Sequence, residues 1–113
     1  MRFMMLMIPG HHPATEDLPV DAVERMMAYN EELSKAGVLL ALDGLHAPAE
    51  GTRVAFASGK ATATDGPFAE AKEVVGGYWL IDVKSKDEAV AWASRCPAGD
   101  GDVIEIRRVQ EGD

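Results

Sequence analysis

The sequence contains one cysteine, more acidic than basic residues and no long hydrophobic run. Cys96 has no second cysteine with which to form an internal disulfide, which fits a reducing compartment. Eleven basic residues against 19 acidic residues give a net charge of −8. Because this charge repels phosphate backbones and anionic lipid surfaces, we expect neither nucleic acid nor a membrane surface as a partner.

The most apolar segment, residues 3–8, ends at Pro9-Gly10. It is too short for a membrane span of about 20 residues or for a signal-peptide core with its cleavage site. We therefore expect a cytoplasmic protein. A chain of 113 residues has room for one hydrophobic core, so we expect a single domain over residues 1–113.

Periodicity and turn residues predict six strands and two helices. Ser85 and Glu88 have the spacing of a capping box, which predicts the start of the second helix. The helical pattern of the first helix starts at Pro19, but Asp21 and Glu24 also have this spacing, so the first helix begins at Pro19 or near Asp21. The predicted strands are residues 3–8, 38–42, 53–57, 60–64, 74–83 and 102–109, and the helices are residues 19–36 and 85–96. Gly37 is the predicted C′ residue of the first helix, and Ser58-Gly59 is the predicted tight turn of a hairpin. Gly76-Gly77 predicts a bulge or a close backbone approach in the fifth strand.

The order of these elements predicts an α+β fold. A strand-helix-strand unit at each end, separated by further strands, is typical of a ferredoxin-like split βαβ arrangement with an antiparallel sheet and two helices on one face. The strands are apolar on both faces, so the second face also needs cover. We expect a second copy of the chain to cover it, which predicts a homodimer.

One segment resembles a known family signature. Residues 64–73, TDGPFAEAKE, followed by Gly76-Gly77-Tyr78-Trp79, are similar to the signature of the DGPF branch of the YCII-related family. The resemblance implies a ferredoxin-like fold that pairs into a dimeric α+β barrel. It assigns no reaction, although an association with extracytoplasmic-function sigma factors was inferred for some relatives. YCII-type proteins were proposed to use a His–Asp pair with the histidine on the first helix, and the first helix here contains no histidine.

His46 and Asp65 are the candidate catalytic residues. Histidine titrates near neutral pH, and His46 follows the end of a predicted strand. Asp65 could act as a general base or orient that histidine, and the alternative is a structural turn in which its carboxylate accepts a backbone hydrogen bond. We expect these two side chains to form the local substitute for the His–Asp pair of the relatives.

Four further residues are candidates for ligand binding. Tyr29 lies on the first helix, Trp79 on the fifth strand, and Glu70 and Lys72 in the charged segment after Phe68. Each has a structural alternative, namely core packing for the aromatic residues and solvation for the charged ones.

Most cofactor and metal sites are not indicated. His11 and His12 are adjacent, but no other ligand lies at a recognised spacing, so we expect no metal site. The sequence contains no phosphate-binding glycine loop, no GxSxG elbow and no CxxC motif, so we expect no cofactor.

The sequence leaves three functions open. The first is a small-molecule-binding protein or cofactor-independent enzyme with a cleft between sheet and helices that uses His46 and Asp65. The alternative is a non-catalytic dimeric interaction or regulatory module with a protein partner, linked to sigma-factor-dependent transcription control. A metal-dependent detoxification role for His11 and His12 ranks last.

Overall fold

The computed structural model describes residues 1–10, 20–68 and 74–112. Within them lie two α-helices, α1 (Ala22–Lys35) and α2 (Lys86–Ser94). The strands are β1 (Arg2–Ile8), β2 (Leu39–Gly44), β3 (Thr52–Ala57), β4 (Lys60–Asp65), β5 (Gly77–Asp82) and β6 (Val103–Arg108), and a short 3₁₀ turn covers Pro48–Glu50. The predicted elements are all present, with ends displaced by at most three residues.

Four strands form an antiparallel sheet in the order β2-β5-β1-β6. Met5 of β1 lies opposite Trp79 of β5 on one side and opposite Ile106 of β6 on the other. A sheet of this order with two helices is the predicted ferredoxin-like α+β fold. The register shifts between Leu39 and Ala41, which places the irregularity in β2 rather than at the predicted Gly76-Gly77.

Both helices pack on the same face of the sheet. Strand alternation directs Phe3, Met5, Trp79 and Ile81 towards this face, where they form the core with residues of the helices. The helix residues in the core are Tyr29 and Leu33 of α1 and Ala89 of α2. The predicted arrangement with helices on one sheet face is therefore confirmed.

The helix ends follow the sequence signals in part. Helix α2 begins with the predicted cap, since the Glu88 amide donates to Ser85 Oγ at 3.1 Å and the Lys84 amide donates to the Glu88 carboxylate at 2.9 Å. At α1, Asp21 occupies the N-cap position without capping, because its carboxylate binds Arg25 Nε at 3.3 Å. Gly37 follows α1 with φ +76°, as predicted for a residue in the left-handed region.

Strands β3 and β4 form a separate two-stranded hairpin, which we call the arm (residues 52–65). The predicted tight turn is confirmed, because Ser58 and Gly59 both have positive φ, at 50° and 75°. All twelve strand residues of the arm are exposed.

The base of the arm is closely packed against the 3₁₀ turn. The Gly66 amide donates to Gly51 O at 2.8 Å, and the peptide bond from Gly66 to Pro67 is cis. A Cβ atom on Gly66 would lie 2.0 Å from Pro48 O. The Arg53 guanidinium lies 4.0 Å from the centre of the Phe68 ring, which covers the same junction.

Neither described helix is long and apolar enough to cross a membrane.

The contact at Gly66 predicts a large cost for one added methyl group. Gly66→Ala should lower the free energy of unfolding by about 1–3 kcal/mol, because the methyl group collides with backbone that cannot rotate away. Gly44→Ala is the matched control, since a Cβ there meets no atom within 4 Å. Urea denaturation of both variants measures the difference, and equal stabilities would contradict this packing of the arm base.

Candidate functional site

A cavity of about 200 Å³ lies between α1 and one end of the four-stranded sheet. This is smaller than the roughly 300–1,000 Å³ of pockets for drug-sized ligands, so it suits a molecule of a few non-hydrogen atoms. Apolar residues make most of its wall, together with three polar residues and three glycines. The lining residues are Met7, Met26, Leu42, Trp79, Asn30, Asp43, Tyr78, Gly44, Gly76 and Gly77.

Trp79 is the central wall residue and is only 5% exposed. Its indole Nε1 donates to Asn30 Oδ1 at 2.8 Å, which fixes the orientation of the Asn30 amide. The Asn30 amide nitrogen keeps two donors, and Asn30 lines the cavity. The cavity thus combines an apolar wall with a hydrogen-bond donor suited to a carbonyl oxygen.

Tyr29 supports this wall from behind. Its ring meets the Trp79 ring edge-on, with centres 5.9 Å apart and planes at 87°. The Tyr29 hydroxyl donates to Trp92 O at 2.7 Å, and burial raises the pKa of that hydroxyl above its usual range. Of the two predicted aromatic ligand-binding residues, Trp79 lines the cavity and Tyr29 holds it in place.

Asp43 and Tyr78 lie at the end of the cavity where β2 pairs with β5, with their side chains on the sheet face opposite Trp79. The Tyr78 hydroxyl donates to Asp43 Oδ2 at 3.0 Å, and both groups are exposed to solvent. That hydrogen bond and the negative charge of Asp43 raise the pKa of Tyr78 above its usual value of 10.0, because both favour the neutral phenol. The Asp43 carboxylate adds negative charge at this end of the sheet, which disfavours anions there.

Glycine backbone closes one side of the cavity. A Cβ atom on Gly76 would lie 2.9 Å from Pro9 Cγ, and one on Gly77 would lie 2.8 Å from Asp43 O. The Gly76 amide donates to Met7 O, and Gly76 O accepts from the Leu45 amide. The predicted close backbone approach at Gly76-Gly77 is confirmed, and it joins β1, β5 and the segment after β2.

His46 and Asp65 lie at the base of the arm with different partners. The His46 side chain is 88% exposed, and its Nδ1 lies 3.1 Å from Glu50 Oε2. Asp65 Oδ1 accepts a hydrogen bond from Thr52 Oγ1 at 2.8 Å. Only Gly51 separates the two partner residues in sequence, so both candidates are bound to one short segment, and their pairing with each other stays a prediction.

The remaining candidates are two charged ligand-binding residues and the two adjacent histidines. Glu70, Lys72, His11 and His12 all lie outside the described residues. Within residues 1–10, 20–68 and 74–112, no group of three or more histidine, cysteine or carboxylate side chains could hold a metal ion.

Two residues of the cavity, Asn30 and Asp43, were not predicted from the sequence. Asn30 sits one residue from Tyr29 on the first helix, but only the folded chain reveals its hydrogen bond to Trp79. Asp43 precedes Gly44 at the end of β2. A carboxylate at a strand end, three residues before His46, was the signal that could have identified it.

The hydrogen bond between Tyr78 and Asp43 predicts an altered tyrosine titration. In Asp43→Asn the pKa of Tyr78 should fall towards its ordinary value of 10.0, since the negative charge that raises it is removed and the amide oxygen that replaces the carboxylate is a weaker acceptor. Ultraviolet absorbance near 295 nm follows the phenolate, and buried Tyr29 titrates separately at higher pH. Asp82→Asn is the control, because Asp82 lies on β5 like Tyr78 and its substitution removes the same charge at the far end of that strand. A fall of equal size in both variants would contradict the Asp43 contact.

The chain was compared with known proteins and protein families. No curated protein matches it. The model of the YCII-related domain matches residues 1–112. Since this match spans nearly the whole sequence, the chain belongs to the YCII-related domain family.

Proposed function

We propose that this YCII-related chain binds a small, uncharged carbonyl compound in the cavity beneath α1, as a small-molecule-binding protein or cofactor-independent enzyme. The observation that carries the proposal is the Asn30–Trp79 hydrogen bond, which leaves the Asn30 amide donors at an apolar wall. A ligand carbonyl accepting from Asn30 would satisfy these donors, and the net charge of −8 together with Asp43 favours a neutral molecule over an acid.

In this proposal His46 and Asp65 supply proton transfer at the arm base. His46 lies two residues beyond Gly44, which lines the cavity, and the hydrogen bond from Leu45 to Gly76 fixes the intervening backbone. Glu50 orients the imidazole in a way that suits a general base. Thr52 likewise orients the Asp65 carboxylate. Glu70 and Lys72 are proposed to contact the ligand from the segment after Phe68.

We also place the chain in the DGPF branch of the family, on the strength of Asp65-Gly66-Pro67-Phe68 and the sequence that follows them. The packing of Gly66 against Pro48 gives this signature a structural role at the arm base.

A homodimer with sheets face to face belongs to the same proposal. The sheet face opposite the helices carries Met4, Leu6, Ile8, Tyr78 and Leu80, which are only half-buried. No described helix or strand packs on this face, which we call the open face. A second copy covering it would give the dimeric α+β barrel. The same surface is the observation that favours the second candidate function, a dimeric interaction or regulatory module without catalysis.

Ligand binding predicts shifts in two assigned NMR signals. Cyclohexanone at millimolar concentration should shift the Asn30 side-chain amide and the Trp79 indole signals in a ¹H–¹⁵N spectrum, whereas cyclohexanecarboxylate should shift neither. Asn30→Asp keeps an acceptor for the indole but removes the amide donors, so it should abolish the response. Gln110→Glu makes the same change of amide to acid in the C-terminal tail. Unperturbed Asn30 and Trp79 signals in the unmodified protein would exclude this ligand class.

Proton transfer predicts catalysed exchange at carbon. A base near the bound ketone removes a proton beside the carbonyl, and solvent deuterium returns to that carbon. His46→Gln should slow the exchange of cyclohexanone protons in D₂O by about 100-fold, a typical contribution of general-base catalysis. Glu50→Gln and Asp65→Asn then identify the partner of His46. If the unmodified protein and His46→Gln bind cyclohexanone and give equal exchange rates, the chain is a binding protein that does not catalyse the exchange.

A further inference from the structure

The arm is a two-sided ribbon with one apolar face. Val54 and Phe56 of β3 lie opposite Ala63 and Ala61 of β4, so these four side chains share one face. Arg53 lies opposite Thr64, and Ala55 lies opposite Thr62, on the other, more polar face. The arm therefore has the alternation of a strand pair that covers something on one side.

Nothing described covers the apolar face of the arm. Val54 is 54% exposed and Phe56 is 79% exposed, which is unusual for a phenylalanine flanked by small apolar residues. A two-stranded hairpin alone is at best marginally stable in water and needs a third strand or another surface to pack on. Among residues 1–10, 20–68 and 74–112, the arm thus lacks the contact that a hairpin requires.

The chain exposes more surface than a compact monomer of its mass. The chain exposes 8322 Å², whereas a monomer of 12.1 kDa exposes about 6,000 Å². The radius of gyration is 16.2 Å, against about 13 Å for a compact domain of this length. The excess of roughly 2,000 Å² is in the range that one protomer contributes to a permanent dimer.

Charge favours the same kind of chain as the occupant. The arm carries two basic residues, Arg53 and Lys60, and one acidic residue, Asp65, which leaves nine basic against 18 acidic residues elsewhere. An arm with a small positive charge is attracted to a strongly acidic body, and the body of a second copy has that charge.

We propose that the arm of each chain packs its apolar face, centred on Val54 and Phe56, against the open face of a second copy. The inference deepens the proposed homodimer, since it adds a reciprocal exchange of arms to the contact between sheets. Two-fold symmetry gives each copy one donated and one received arm. Both uncovered apolar surfaces are then buried by one assembly.

Paired substitutions test the arm contact. Sedimentation equilibrium should give a dimer for the unmodified chain, with a dissociation constant raised at least about tenfold in Val54→Ser/Phe56→Ser. Tenfold corresponds to about 1.4 kcal/mol, which is less than one fully buried apolar side chain contributes. Ala55→Ser/Ala57→Ser alters the opposite face of the same strand and should change the constant less than twofold.

A spin label identifies the surface that receives the arm. A nitroxide at Thr62→Cys in a Cys96→Ser background, mixed with ¹⁵N-labelled unmodified chain, should broaden the amide signals of Leu6 and Leu80 in the labelled copy. Cys96 is the only native cysteine, so the label is confined to one position. Circular dichroism of the serine variants confirms that they fold, as expected for side chains exposed within their own chain.

Each failure has a separate meaning. A dimer whose dissociation constant is unchanged in Val54→Ser/Phe56→Ser overturns the arm contact. Broadening that is confined to amide signals in the arm of the ¹⁵N-labelled copy overturns it as well. Either result leaves the dimer of sheets. An unmodified chain that sediments with the 12.1 kDa mass of one copy overturns the homodimer and the arm contact together.

Discussion

The hydrogen bond between Trp79 and Asn30 connects most of the described fold. Trp79 is buried on central strand β5, and its indole is held by α1 through Asn30. Tyr29 of α1 packs against the same ring and donates to Trp92 O of α2. One strand and two helices are thus joined by a continuous series of directional contacts, because a buried indole N–H and a buried phenol each need an acceptor. The cavity occupies the space beside this series, where the packing is left incomplete.

The segment that follows β2 and the end of the arm meet at the arm base. On one side, the segment after β2 leads from the cavity wall at Gly44 to His46. On the other side, Asp65 and Gly66 end the arm against Pro48 and Gly51. Residues that resemble the DGPF signature therefore also carry the packing that fixes the arm. A substitution there changes the orientation of the arm and the position of the candidate proton-transfer groups at the same time.

The elements could be predicted from sequence because their signals are local. Ser85 and Glu88 cap α2, Ser58-Gly59 turns the hairpin, and Gly37 ends α1 through residues adjacent in the chain. The exceptions are also local: Asp21 binds Arg25 instead of capping α1, and the helix predicted to include Cys96 ends at Ser94. Asp21 and Arg25 are four residues apart, so an ion pair competed with the cap.

The site was harder to predict because it depends on long-range register. Trp79 was identified as a candidate, but its partner Asn30 is 49 positions away in sequence and has no motif of its own. His46 and Asp65 were joined by analogy with a chemical pair. Their partners in the fold are the nearby Glu50 and Thr52, which are fixed by the 3₁₀ turn and by the hairpin register. A composition or a spacing cannot specify which of several nearby carboxylates an exposed imidazole will approach.

The sheet order has a consequence for how the chain is made. Strand β1 is synthesised before the other strands of its sheet, yet both of its neighbours, β5 and β6, belong to the last third of the chain. Its apolar residues stay without a strand partner until almost all of the protein has been synthesised, whereas the arm needs only contacts between near neighbours in sequence. The nascent chain therefore carries an unprotected hydrophobic N-terminal segment through most of translation, which is the kind of segment that a chaperone at the exit tunnel binds.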